Sequence, residues 1–177
     1  MNKITHTLAG AAIAGTFALA GGAALAQSNP TDAQIAGIVV TANNVDIDAG
    51  KLAQQKAANA EVKAFAKQMV TDHTGVNQQA NALVKKLKVT PQASDLGKTL
   101  KQGGADNLAK LKGLKGKQFD QAYVDHEVVY HQAVIDALDK TLIPSVRNAE
   151  LKDTLVKTRP AFVAHLEHAK QLQASLK

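Results

Sequence analysis

The chain has 177 residues and a formal net charge of +6, with 45% hydrophobic residues, only 3% aromatic residues and no cysteine or tryptophan. That length suits one domain with a proper core. The lack of cysteine excludes disulfides, thiolate metal sites, cysteine nucleophiles and lipid attachment at a cleavage-site cysteine.

The first segment reads MNKITHTLAGAAIAGTFALAGGAALAQ. Lys3 precedes a short run rich in Ala and Gly, and Ala24-Leu25-Ala26 supplies small residues where a signal peptidase reads them. Residues 1–26 are therefore expected to be a secretory signal peptide, cut between Ala26 and Gln27. A membrane span is the competing reading, but the run is short, rich in Ala and Gly and ends in a cleavage pattern, which favours the signal; no later stretch is apolar and long enough to cross a bilayer. The expected product is a domain over 27–177 that is soluble without detergent. Its expected place is the periplasm, with association to the outer membrane as a further option.

Four helical periodicities follow, and no window alternates with the period of a strand. Thr31 and Gln34 form a capping-box pattern that opens the first helix, to about Ala57. Asn59 caps the second, with Glu61 in its first turn, and that helix ends near Lys88, before Thr90-Pro91. The third runs from about Lys117 to Thr141, where Pro144 stops it. The fourth starts near Asn148 and continues to Ser175, with a kink expected at Pro160.

Between the second and third helices, residues 89–116 hold Pro91 and glycines 97, 103, 104, 113 and 116. Ser94 can cap a short helical piece there, which the Gly103-Gly104 pair is expected to break. The outer connections are short enough for antiparallel hairpins, and the middle one is long enough to run the length of a bundle. Two hairpins joined by a long crossover make the ferritin-like form of a four-helix bundle. This all-α architecture is the expected fold, with a simple up-down order as the other topology.

Nine lysines lie between Lys85 and Lys117, facing only Asp95 and Asp106. Such a stretch can touch anionic envelope components at the periphery. It carries no aromatic residue to stack on bases, which argues against nucleic acid as a partner. A solvated surface is the simpler reading.

Stepping about 100° per residue finds the apolar face of each helix. On the first, Ile35, Ile38, Val39, Ala42, Ala49 and Ala53 share an arc with Asp46, while Asp48 points away. On the second, His73 sits at the centre of an arc from Val62 to Leu87. On the third, Glu127 and His131 stack one turn apart inside a face that is otherwise clean, with His126 at its margin. On the fourth, His165 lies within the arc and His168 at its edge. Counted from the helix ends, all five inward groups lie within about one helical turn of the same height.

Burying unpaired charge costs several kcal/mol, so such groups are paired, hydrogen-bonded or metal-bound. Asp46, His73, Glu127, His131 and His165 form a candidate site for one divalent metal, with Zn²⁺, Fe²⁺, Mn²⁺ and Cu²⁺ as the suited ions. The competing reading is a hydrogen-bonded network in which Glu127–His131 and Asp46–His73 satisfy each other. His126, His168 and Asp72 fall to the surface or behind the cluster, and Tyr123 and Tyr130 to the core.

An acidic residue, then GKLA, VKAFAKQMVTDH, FDQAYVDHEVVYH, ELK and FVAHLEHAK, resembles the bacterial domain-of-unknown-function 4142 family. The resemblance covers about Asp32 to Gln173. It implies an exported, ferritin-like helical bundle of the kind often described as an outer-membrane or periplasmic protein. It carries the family's histidines onto His73, His131 and His165, and its first-helix acid onto Asp46, where Asp replaces the usual Glu. It implies no reaction. Di-iron ferritin-like enzymes use four carboxylates and two Glu-x-x-His motifs. This chain has no Glu-x-x-His and two inward carboxylates, so a non-enzymatic role is favoured over oxygen chemistry. The expected activity is metal binding, and the alternative is an envelope or stress-response protein with a purely structural polar core.

Overall fold

The structure, a computed structural model, describes residues 29–177, so the signal-peptide segment 1–26 lies outside the described residues. Everything described is helix or short connection, which makes the described residues all-α. The elements are α1 (Asp32–Lys56), α2 (Ala60–Lys86), α3 (Asp95–Gly113), α4 (Gly116–Ala137), a π-helical turn (Leu138–Leu142), the single turn α5 (Ile143–Ser145) and α6 (Ala149–Ser175). No described helix is long and apolar enough to cross a membrane.

The helix starts follow from their caps. Thr31 and Gln34 close a reciprocal capping box. Asn59 accepts from Glu61 and Val62 N–H, and Asn148 from Leu151 N–H. Each cap satisfies amides that a helix start leaves without partners. Two buried or half-buried carboxylates then tie turns to helix starts. Asp120 of α4 accepts from Ala58 and Asn59 N–H at 3.0 and 2.8 Å. Asp32 of α1 accepts from Arg147 and Asn148 N–H at 2.8 and 2.9 Å.

Two expectations are corrected. The connection 89–116 is not broken at its glycine pair: α3 runs unbroken through Gly103 and Gly104. The pair is tolerated because α3 is docked. A Cβ on Gly104 would stand 2.7 Å from Val45 Cγ1, so only glycine lets α3 approach α1 this closely. Gln92 N–H donates to Ala33 O, and the Lys56 ammonium donates to the Leu111 and Lys112 carbonyls at the end of α3. These bonds offset the backbone entropy that glycine costs a helix. The second correction concerns Pro144. Helical structure does not stop before it but passes through a π turn into α5, where proline sits in the first turn and lacks no needed amide. At Pro160, α6 continues without interruption.

The apolar core falls into two clusters. One holds Ala49, Ala53, Val62, Phe65, Met69, Phe119, Tyr123, Ala169 and Leu172. The other holds Ile35, Ile38, Val134, Ile135, Leu151, Leu155 and Phe162. Leu96 and Leu100 of α3 pack on the second cluster, and Leu108 and Leu111 belong with the first. In all four long helices the switch between clusters falls at the inward polar residues. The core is divided by a polar layer.

Candidate metal centre

That layer is built from one face of each long helix. Asn43 and Asp46 sit three residues apart on α1, His73 on α2, Glu127 and His131 one turn apart on α4, and His165 on α6. None of the five predicted residues is more than 4% exposed. The His73, His131 and His165 rings form a triangle with centroids 5.3 to 5.6 Å apart. Phe162 packs against all three, at 5.2, 6.2 and 6.3 Å. Asp46 Oδ2 reaches His73 Nε2 at 3.1 Å and His131 Nε2 at 3.4 Å.

Each imidazole is held from outside the triangle. His73 Nδ1 donates to Asn43 Oδ1 at 2.8 Å. That direction follows from the Asn43 amide, whose NH₂ donates to Asn77 Oδ1 and so leaves its oxygen to face the ring. His131 Nδ1 donates to the Glu127 backbone carbonyl at 3.0 Å, the nearer acceptor; Glu127 Oε2, at 3.4 Å, acts as a neighbouring charge. His165 Nε2 donates to Asp72 Oδ2 at 2.9 Å. With one nitrogen of each ring used this way, His73 Nε2, His131 Nε2 and His165 Nδ1 are left without hydrogen-bond partners, as are both carboxylate oxygens of Asp46 and of Glu127. One ligand atom from each of the three histidines lies within 4.8 Å of the others, and the same holds for Asp46, Glu127 and His131.

The electrostatics are those of a shared anion. Burial pushes the Asp46 carboxyl up, yet His73, with His131 and His165 beyond it, holds it below the usual carboxylate range. Burial also works against a charged His131, but Glu127 and Asp46 raise its pKa above the ordinary imidazole value. His165 goes the other way, because burial and the neighbouring His73 and His131 outweigh its bond to half-exposed Asp72. Burial raises Tyr123 and Tyr130 too, helped by Glu127 and Asp46. Both phenols therefore stay protonated. Tyr130 donates to Ala42 O.

The donor set fits a transition metal. Outward N–H bonds fix each ring's tautomer and orientation and leave a lone pair aimed inward, as metal-ligating histidines require. Three imidazoles and a carboxylate suit Zn²⁺, Cu²⁺ and Fe²⁺. Glu127 lies on the far side of the His131 ring nitrogen that is already bonded, so it neighbours the set rather than completing it. His126, with a quarter-exposed side chain 3.9 Å from Glu127, and the half-buried His168 stay outside. Sequence reasoning missed Asn43, although its spacing from Asp46 puts it on the same face. It also left Asp72 without a partner, and nothing in the pattern marks Phe162 as the side chain packed over the rings.

The DUF4142 family model, a domain of unknown function, matches residues 18–172. Among solved structures, a DUF305 chain from Streptomyces coelicolor that is described as secreted resembles this one with a TM-score of 0.67 at 12% identity, covering 81% of this chain and 91% of that one. At that identity the likeness concerns the fold. No curated protein matches the chain. By the length of the family match, the chain belongs to the DUF4142 family.

Proposed function

We propose that this chain is an exported, ferritin-like four-helix bundle that binds one divalent transition metal through His73, His131, His165 and Asp46, with Glu127 beside them. The carrying observation is the set of three buried imidazoles, each donating one N–H to a group outside the set and leaving its other nitrogen without a hydrogen bond, with the Nε2 atoms of His73 and His131 beside Asp46. Zn²⁺, Fe²⁺, Mn²⁺ and Cu²⁺ are the candidate ions. When bound, the ion neutralises Asp46 and satisfies the inward nitrogens.

Residue pairings support the bundle topology. Gly50 meets Ala66 while Asn43 meets Asn77, and Gln121 meets Leu176 while Asp139 meets Arg159. Numbers rise on one helix as they fall on its partner, as antiparallel hairpins require. Leu83 of α2 packs on one cluster and Phe119 of α4 belongs to the other, so the α3 connection returns along the bundle as a crossover. The Ala24-Leu25-Ala26 pattern supports export into the periplasm with a domain beginning at Gln27. The basic stretch from Lys85 to Lys117 offers a surface for anionic envelope components.

A second reading has its own observation. The 3.1 Å contact of His73 Nε2 with Asp46 Oδ2 also suits a protonated imidazole, which would make the cluster a structural ion network. The donor set favours neither di-iron nor oxygen chemistry. Of the buried carboxylates among the described residues, Asp120 already accepts two backbone amides, which leaves Asp46 and Glu127.

Thermal unfolding with and without metal separates the readings. A bound ion a hundredfold above its dissociation constant stabilises the fold by about 2.7 kcal/mol, and His73→Ala should remove most of that gain. Elemental analysis of protein taken from the periplasm names the ion. Indifference of the parent to all four ions would overturn the metal reading, and an equal shift in parent and variant would move the site elsewhere.

A further inference from the structure

Phe162, packed against His73 on one hand, also lines a cavity of about 270 Å³ in the half of the core that holds Ile38. Every long helix and the π turn contribute to its wall: Ile38 from α1, Ala80 from α2, Leu100 from α3, Val134 from α4, Leu142 from the π turn and Leu155 from α6. The space is partly open to solvent, and what sets it apart is a wall that is almost wholly apolar. The π turn, an uncommon element that concentrates at functional sites, supplies both Leu138 and Leu142 to the wall.

The polar side chains on that wall are all engaged elsewhere. Thr99, Thr154 and Thr158 donate their hydroxyls to the carbonyls of Asp95, Glu150 and Thr154, one turn back on their own helices. Their methyl groups are what remains to face a ligand. Asn43 uses its oxygen on His73 and its NH₂ on Asn77. No charged side chain lines the cavity. A ligand bringing a charge or hydrogen-bonding group would lose water and find nothing to replace it, whereas a hydrocarbon surface loses nothing. A dry apolar cavity of about 150 Å³ holds benzene, so by proportion this one holds roughly ten carbon atoms.

We infer that this cavity is a binding site for an uncharged apolar molecule of roughly ten carbon atoms, recognised by shape and burial alone. The site is separate from the proposed metal ligands, and Phe162 stands between the two.

Naphthalene is the probe, added to the exported chain. The expected result is saturable one-to-one binding, followed by naphthalene fluorescence, together with a higher melting temperature. Nuclear cross-relaxation should reach the methyl groups of Leu138, Leu142 and Leu155. Naphthalene-2-sulfonate should bind at least tenfold more weakly, because its charge finds no partner. Ala80→Leu and Ala137→Leu, which fill the cavity, should each weaken naphthalene binding at least tenfold. Absence of saturable binding to the parent overturns the inference, as does sulfonate binding of equal strength. If both filled variants fail to fold, the methyl contacts in the parent decide, and contacts confined to other residues overturn it.

Discussion

His73 Nε2 lies 3.1 Å from Asp46 Oδ2, with both side chains shut off from solvent between two apolar clusters. Asp46 is the fixed point of the pair, since its neighbours hold it ionised. A buried carboxylate needs a compensating cation. Either a proton on an imidazole or a metal supplies it, and the tie from His73 Nδ1 to Asn43 serves both by turning Nε2 inward.

Asn43→Ala tests that tie. The variant leaves the His73 N–H without its acceptor and Asn77 without its donor, at a cost of about 1–3 kcal/mol. If His73 is a ligand, metal affinity should also drop by roughly 10–100-fold, the usual effect of removing the group that orients a ligating histidine. Urea unfolding across a metal titration reads both effects. Lost stability with unchanged metal affinity would place the metal away from His73.

The pH dependence of the metal-free protein follows from opposing shifts. Asp46 is depressed below its unfolded value, so its contribution is present above that value and is lost as the pH falls towards the folded one. His131 is raised, so its contribution is complete below about 6.5 and is lost as the pH rises through its folded value. His165 is depressed, so the fold resists its protonation and loses stability as the pH falls below the ordinary imidazole value. Imidazole NMR signals should show His131 titrating above His165. Asp46→Asn should flatten the steepest acid loss, below about pH 4. Metal uptake at neutral pH should release protons; identical titration of the two histidines would contradict the arrangement.

Much of this was legible in the chain because two signals are local. Thr31, Asn59 and Asn148 announce helix starts through chemistry within three residues. The inward polar residues stand out because helical periodicity puts each on an otherwise apolar arc, and counting residues from helix ends brings them to one height. What was not legible depends on distant partners. Gly103 and Gly104 look like helix breakers until Val45 is seen against Gly104. Asn43 and Asp72 become meaningful only once His73 and His165 are placed beside them. The π turn has no periodicity of its own, since it is one widened turn within a helical run.

The glycine pair makes two opposite predictions. A Cβ at Gly103 meets nothing within 4 Å, so Gly103→Ala should stabilise by roughly 0.5–1 kcal/mol through lower unfolded-state entropy. A Cβ at Gly104 would stand 2.7 and 2.8 Å from the two Val45 methyls and 3.2 Å from Val45 Cβ. Overpacking costs about 1–3 kcal/mol, and Val45 is stiff at χ1, so Gly104→Ala should destabilise despite its helix propensity. Chemical unfolding of both variants reads the signs. Equal stabilisation would mean that α3 does not pack on Val45 in solution.

Hydrogen exchange distinguishes a docked connection from a loose one. Glycines, and lysines with few acidic partners, make the connection from Lys88 to Lys117 the expected weakest part of the domain, and the structure narrows that prediction to its first residues. Between Lys88 and Ala93 most side chains are exposed, Lys88 has a positive φ, and the described bonds reduce to a few such as Gln92 N–H to Ala33 O. Few buried contacts and exposed amides mean a low local opening free energy. The α3 helix differs. Leu111 is fully buried, Lys56 bonds the last carbonyls, and Gly104 sits against α1. Exchange should therefore be fastest at 88–93, slower through Asp95–Gly113, and slowest at the α1, α2, α4 and α6 amides beside the polar layer. Within α3, the end near Leu111 should outlast the end near Asp95. Uniformly rapid exchange from 88 to 116 would show that α3 is helical only in passing and that the four long helices stand without it.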